Sequence, residues 1–360
     1  MSKAKSLFKD APDILPVFLE KGLKVSDFID KIGHTCFEAR NLLKGSLLFQ
    51  QMIEEGDTIW LGIAGAGIPG GLGGIIISLI EKGFIDLICS TGAQIYHDMH
   101  FAFYLPVKAI PPTVDDNKLR QYGDTRIYDI GIREKETLQA QDLIIQRFIK
   151  ENYKDLSKRP LSSPDFNYLL GKWAEKKSPK PDLSFVISAA RHKVPIFWDS
   201  FTNHSIALNV LKTKLEGFPV EFSEQEDLLL SASVNYKSSQ TGFIELGGGG
   251  PKNFIQQTGP LLNQILGIEY EGADRGLQIS TANEKEGSLS GCSFGEAVTW
   301  GKYKAKKSDN LVQIWGEYSI IFPLLASFVI DRCQKKEPKK IMDMIYECED
   351  ELLKKLWLKG

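Results

Sequence analysis

The chain has 360 residues, 42% of them hydrophobic, enough to bury a sizeable core in one large domain with helical appendages. Its 44 basic and 46 acidic side chains leave a formal charge of −2, which excludes the extended basic field that nucleic acid demands. The five cysteines are scattered, with no CxxC pair and no metal-like spacing to the five histidines, so we expect free thiols, a reducing cytoplasmic setting and no bound metal. The segment Met1 to Asp10 has no apolar signal core.

In chain order, Ser26 caps a predicted helix over 26–55, with Phe28, Ile29, Ile32, Phe37 and Leu42 at roughly helical spacing. From Ile59 to Ile80 no residue is ionisable, as in a membrane span. The glycines at 62, 65, 67, 70, 71, 73 and 74, with Pro69, would interrupt such a span and instead suit a strand, a tight loop and a helix start. Short apolar runs bounded by Gly, Asp or Pro predict strands at 58–64, 85–91, 194–198, 242–246, 277–282 and 311–315. Between and after them lie predicted helices at 72–82, 134–152, 164–177, 254–266, 320–333 and 341–358. The alternation predicts an α/β fold, a Rossmann-like doubly wound and mostly parallel sheet with helical N- and C-terminal additions. The stretch 155–181, rich in Lys, Ser and Pro, reads as a surface excursion and not as a linker. The organisation expected is an N-terminal helical segment over 1–55, a catalytic domain over 56–335 and a C-terminal helix over 336–360.

Gly65, Gly67 and Gly70 fit the GxGxxG spacing between a strand and a helix, the context in which backbone amides approach a pyrophosphate. A ligand-free turn explains this motif alone equally well. Gly247 to Gly250 form a second cluster after a strand, followed by Pro251, Lys252 and Asn253. Both loops, with Ser90 to Ala93, would rim one crevice at the carboxyl end of the sheet. The strand near position 89 ends Cys89-Ser90-Thr91 and lacks the acid that usually binds a ribose there, which argues against an ordinary two-domain dehydrogenase.

Glu296, Trp300 and Lys302 place an acid, an indole and an amine within seven residues. A lysine is nucleophilic only when unprotonated, and a water-poor pocket favours that state. Spacing alone favours a solvated helix-end lysine, since Lys304, Lys306 and Lys307 follow.

The run Leu246-Gly-Gly-Gly with Lys252, then Gly272-Ala-Asp274, Ser280-Thr281-Ala282, Glu296 to Lys302 and Phe322-Pro-Leu-Leu325 resembles deoxyhypusine synthase in order and spacing, from about Gly56 to Cys333. In that family the lysine of WGK forms an imine with the aminobutyl group of spermidine after NAD has oxidised the polyamine, and the unit then passes to an acceptor amine. The resemblance implies that Lys302 forms the imine, Trp300 walls the polyamine and Glu296 holds an ammonium end. It implies NAD contacts at Gly65, Ala66, Thr91, Gly92, Asn203, Gly248, Thr281, Ala282 and Glu317, the last in place of a family aspartate. It also implies a homotetramer.

The chain departs from the family at four polar positions. Asn203 and Leu208 stand where the family has aspartates, Leu289 replaces another, and Asn253 replaces a histidine thought to move protons. Glu286 and Asn253 remain as substrate-binding candidates. His204 and His97 fall near the inferred crevice, where a structural role is the commoner one. The expected function is NAD-dependent transfer of an aminobutyl or similar alkylamine group from a small polyamine to a small diamine, of the homospermidine synthase type. The alternatives are transfer to a protein lysine, as in deoxyhypusine synthase itself, and an inactive paralogue serving as a structural or regulatory subunit.

Overall fold

The computed structural model describes residues 7–304 and 308–358. Lys306, Lys307 and the first six residues of the N-terminal stretch therefore lie outside the described residues.

Among the described residues nine strands form two sheets: β1 Thr58–Ile63, β2 Leu87–Ser90, β3 Val107–Ala109, β4 Asp124–Ile127, β5 Ile130–Arg133, β6 Ile196–Trp198, β7 Thr241–Leu246, β8 Arg275–Ser280 and β9 Leu311–Trp315. The main sheet has the order β6-β2-β1-β7-β8-β9, and every neighbouring pair is parallel. The chain runs outward from β1 through β2 to β6, then returns beside β1 at β7 and runs outward the other way. The strand order therefore reverses between β1 and β7.

All residues of β1, β2, β6, β7 and β8 are buried, which is why these strands read as continuous apolar runs and not as alternating ones. The pleat sends Ile59, Leu61 and Ile63 into a core shared with helices Val25–Gly33, Phe37–Glu55, Gly73–Glu81 and Tyr318–Arg332. Trp60 points the other way, into a core with Leu230 and Val234 of helix Glu224–Lys237 and Ile341, Ile345 and Cys348 of helix Ile341–Trp357. Both terminal segments thus pack into the cores that cover the sheet.

The single helix expected over 26–55 is two helices, broken at His34 to Cys36. Gly33 makes the close return possible, since a Cβ there would lie 2.3 Å from Leu43. The stretch 155–181 is not a surface excursion. Helix Ser163–Lys177 buries Phe166, Leu170 and Trp173 in the main core, and Ser162 caps its first turn. The helix expected over 254–266 begins earlier, at Gly249, is interrupted at Gln257, and continues as an α-helical turn Thr258–Pro260 and a π-helical turn Leu261–Ile265. The antiparallel sheet β3-β5-β4, an insertion after helix Gly92–Ala102, carries no signal strong enough to predict it. Among the described residues no helix is long and apolar enough to cross a membrane, and residues 59–80 form β1, the glycine loop and most of helix Gly73–Glu81.

Candidate active site

In an open parallel sheet, ligands lie beyond the carboxyl ends of the strands, where the strand order reverses. The two glycine clusters follow β1 and β7, the two strands that flank that reversal. The other expected cofactor residues follow the remaining strands of the main sheet: Thr91 and Gly92 after β2, Asn203 in the loop beyond β6, Thr281 and Ala282 after β8, and Glu317 after β9. One edge of the sheet therefore gathers residues drawn from more than two hundred positions of sequence.

The first glycine loop lines a groove of about 710 Å³. Its lining includes Gly65, Ala66, Gly67 and Gly70, with Glu317, Tyr318 and Ser319 beside them; Tyr318 packs on the glycines, since a Cβ at Gly67 would lie 2.8 Å from its ring. Lys108 and Tyr128 to Ile130 of the inserted sheet also line the groove. Gly65 adopts φ 78°, a conformation costly for a residue with a side chain, and the Tyr318 hydroxyl bonds the Ala64 carbonyl at 3.0 Å. Glu317 caps helix Tyr318–Arg332 by accepting from the Ser319 amide at 2.8 Å, and it is exposed toward the groove. This groove suits a dinucleotide: it is open, glycine-walled on one side, and bounded by an acid that could accept from a ribose hydroxyl.

Gly92 and Gly248 are buried, and their smallness serves protein neighbours. A Cβ at Gly92 would lie 2.3 Å from the His204 ring, and one at Gly248 would lie 2.6 Å from Ser290. The second glycine loop is tied to the turn at Leu289–Gly291: the Gly249 amide donates to Ser290 Oγ at 3.0 Å, and Gln278 Nε2 donates to both Gly247 O and Ser290 O at 2.8 Å.

Lys302 is 8% exposed and donates to Asn253 Oδ1 at 3.1 Å, so it is not the solvated helix-end lysine that spacing alone favours. Helix Phe294–Thr299, capped by Ser293, ends just before it. Its main chain is pinned, since the Lys302 amide donates to Ala297 O at 3.1 Å and its carbonyl accepts from the Ala273 amide at 3.0 Å. Gly259 and Gly272 let this backbone pack closely, since a Cβ on either would fall within 3 Å of residues 301 to 303. Burial pushes the Lys302 amine below the ordinary lysine range; Cys292 and Glu245 pull it up, Lys252 pushes it further down, and Glu296 pulls it up. Burial also raises the Cys292 thiol, which leaves it uncharged near neutrality and removes its pull on Lys302 there.

Glu296 and Trp300 lie on the exposed side of the lysine segment, Trp300 at 62% exposure, so a single chain leaves the indole facing outward. Glu286 sits on the exposed turn Glu284–Glu286 and accepts from Ser288 Oγ. Leu208 and Leu289 are exposed as well. His204 is buried, caps helix Ser205–Leu215 by accepting from the Ala207 amide at 3.3 Å, and is pushed by burial to about 4. His97 pairs with His100 at 3.0 Å and is likewise pushed by burial to about 4. Both histidines are neutral at physiological pH and are explained by their packing.

Three residues near Lys302 escape the motif reading: Glu245, Gln256 and Tyr303, joined by hydrogen bonds of Glu245 Oε1 to Gln256 at 2.7 Å and to Tyr303 at 2.8 Å. The available signal was an acid inside the apolar run Thr241 to Leu246. Among the described residues no cluster of three His, Cys, Asp or Glu could hold a metal ion.

A deoxyhypusine synthase family profile matches residues 27–329. A deoxyhypusine synthase-like protein of Nostoc punctiforme is 34% identical, over 95% of this chain and 88% of that protein. A protein of Methanosarcina mazei named "Probable deoxyhypusine synthase 2" is 34% identical, over 89% of this chain and 90% of its own. A crystal structure from Entamoeba histolytica assigned as deoxyhypusine synthase superposes with a TM-score of 0.59 at 17% identity, covering 90% of this chain and 99% of that one, a likeness of fold. By profile and by sequence identity along nearly its whole length, this chain belongs to the deoxyhypusine synthase family.

Proposed function

We propose that this chain is an NAD-dependent transferase that moves an aminobutyl or similar alkylamine group from a polyamine, through an imine on Lys302, to a small diamine. The observation that carries the reading is the state of Lys302. It is a buried amine whose partner is the neutral amide of Asn253, and burial pushes it below the ordinary lysine range, toward the unprotonated form that attacks carbon. NAD would supply the hydride acceptor that makes an amine carbon electrophilic and, once reduced, would return that hydride so that the transferred group ends as an amine. Gly65, Ala66 and Glu317 are the residues that would hold it in the groove beyond β1.

On this reading Lys302 attacks the activated carbon, and the displaced amine leaves with the proton that Lys302 gives up. Asn253 orients the amine but cannot take that proton, since an amide is no base near neutrality. Glu296 and Glu286 supply negative charge on the exposed side for ammonium ends. With Leu208 and Leu289 in place of family carboxylates, the remaining acids suit about two ammonium groups, and each further one would cost several kcal/mol if desolvated without a partner. A diamine fits that count better than a triamine held at every nitrogen.

The outward-facing Trp300 and the exposed row Leu208, Leu211 and Leu215 on helix Ser205–Leu215 support assembly with further copies, as a homotetramer with the site near a subunit boundary. The test is mass spectrometry of products after incubation with NAD and putrescine, spermidine or agmatine, each with and without the unmodified lysine form of the translation factor that becomes hypusinated. Homospermidine or a related small amine supports the reading. Efficient modification of the factor from spermidine with no small product assigns a protein acceptor instead, and no product under any condition points to an inactive subunit.

A further inference from the structure

Glu245 sits within β7, on a strand buried along its whole length, and is itself 0% exposed. A desolvated carboxylate in such a place costs several kcal/mol unless other groups answer it. Its Oε1 accepts from Gln256 Nε2 and the Tyr303 hydroxyl, while Oε2 has no hydrogen-bond partner among the described residues. These donors are neutral, so they satisfy one oxygen without balancing the charge.

Burial pushes the Glu245 carboxyl above its ordinary range, and the nearby amines of Lys252 and Lys302 pull it back down. Lys252 is 1% exposed and donates to Gln278 Oε1 at 2.9 Å and to the Cys292 carbonyl at 2.7 Å. Lys302 donates to the Asn253 amide. Each amine is thus hydrogen-bonded to a neutral oxygen, and each buried charge is balanced only across the cluster. Tyr303, the residue directly after Lys302, joins the carboxylate to the lysine segment mechanically.

We propose that Glu245 is a positioning residue for Lys302: its carboxylate anchors Tyr303 and supplies the negative charge that Lys302 faces from inside the protein. The groups that face Lys302 are Glu245 on β7, Lys252 on helix Gly249–Gln256, Glu296 on helix Phe294–Thr299, and Cys292 before that helix. Burial drives the proton off first and Lys252 adds to it, while Glu245 from inside and Glu296 from the exposed side hold the proton on. Together they set the pH at which Lys302 becomes a nucleophile. The inference rests on the reading of Lys302 as the imine-forming amine, and it concerns what controls that amine.

Competitive labelling of the full-length protein with acetic anhydride tests it. The extent of Lys302 acetylation, read by peptide mass spectrometry from pH 6 to 11, gives the midpoint at which the amine loses its proton. Glu245→Gln keeps the shape and removes the charge, and should lower the midpoint by about half a pH unit or more. Lys252→Gln should move it the opposite way. An unmoved or raised midpoint in a folded Glu245→Gln protein overturns the proposal. If that variant does not fold, Glu245→Leu, apolar and of similar size, decides in its place: a lower midpoint supports the proposal, and an unchanged or higher one overturns it. The labelling needs neither NAD nor polyamine, so its outcome is independent of the product analysis that tests the transferase reading.

Discussion

Lys302 Nζ donates to Asn253 Oδ1 at 3.1 Å, which pairs a buried amine with an oxygen that carries no charge. Two expectations follow for Lys302→Met. Turnover should fall by at least about 10³-fold, as for loss of a covalent nucleophile. Thermal stability should hold or rise, because an apolar side chain of similar volume relieves the cost of burying a polar amine. Borohydride reduction of wild-type protein with NAD and spermidine should add a fragment mass to the peptide that contains Lys302. Label on the Lys252 peptide instead would remove Lys302 from the role.

NAD in hundredfold excess over its dissociation constant should stabilise the fold by about 2.7 kcal/mol. A differential scanning measurement at millimolar NAD would show this as a rise in Tm. Gly65→Val should abolish the rise. The left-handed backbone at position 65 is strained by any side chain, and a Cβ there would lie 2.9 Å from the Tyr318 hydroxyl. A variant that is folded and still shows the full shift would place the cofactor elsewhere.

Arg275 on β8 is 4% exposed and bonds Asp57, itself buried, and Glu55 at the end of helix Phe37–Glu55. Arg275→Ala should cost about 3–5 kcal/mol in urea unfolding, since Asp57 would be left charged and buried. The double variant Arg275→Ala, Asp57→Ala should recover part of that loss. If the double variant is as unstable as the sum of the two singles, the pair is not coupled.

Asp227 of helix Glu224–Lys237 is buried, and burial raises its carboxyl to about 7, against the hydrogen bonds from Ser163. In the unfolded chain the group titrates near 3.9. Between about pH 4 and 7 the folded protein therefore keeps a proton that the unfolded chain has released, and this group's contribution to stability falls as pH rises through that window. Asp227→Asn should gain on the wild type at pH 8 relative to pH 5, at most about 1.4 kcal/mol for each unit of pH in between. Urea unfolding at the two pH values measures the difference, and equal slopes for both proteins would contradict it.

The main sheet was legible because its strands are apolar on both faces and bounded by glycine, proline or acid. The inserted sheet was not: β3, β4 and β5 have only three or four residues each, most of them partly exposed, so neither an apolar run nor a clean alternation marks them. Helix Glu224–Lys237 did carry a local sign, Ser223 with Glu226 three residues on, and the Ser223 hydroxyl accepts from the Glu226 amide at 3.1 Å. The lysine segment was legible by resemblance alone, since spacing favoured a solvated Lys302. Its burial depends on residues 259 and 272, far off in sequence, and no local pattern encodes that. The glycines at 92 and 248 were read for ligand contact, and the space they leave is taken by His204 and Ser290.

The close packing of Gly259 and Gly272 against the backbone of residues 301 to 303 has a consequence for how this protein tolerates change. A single methyl at either glycine would displace the strip that carries Lys302, and no adjustment of the lysine's own rotamer could restore both the pinned main chain and the contact with Asn253. Such lesions would look like chemical defects in a kinetic assay while lying in parts of the chain that hold no ligand. In a random mutant library, loss of turnover would then map to a helical turn and a loop that an inspection of ligand contacts alone would pass over.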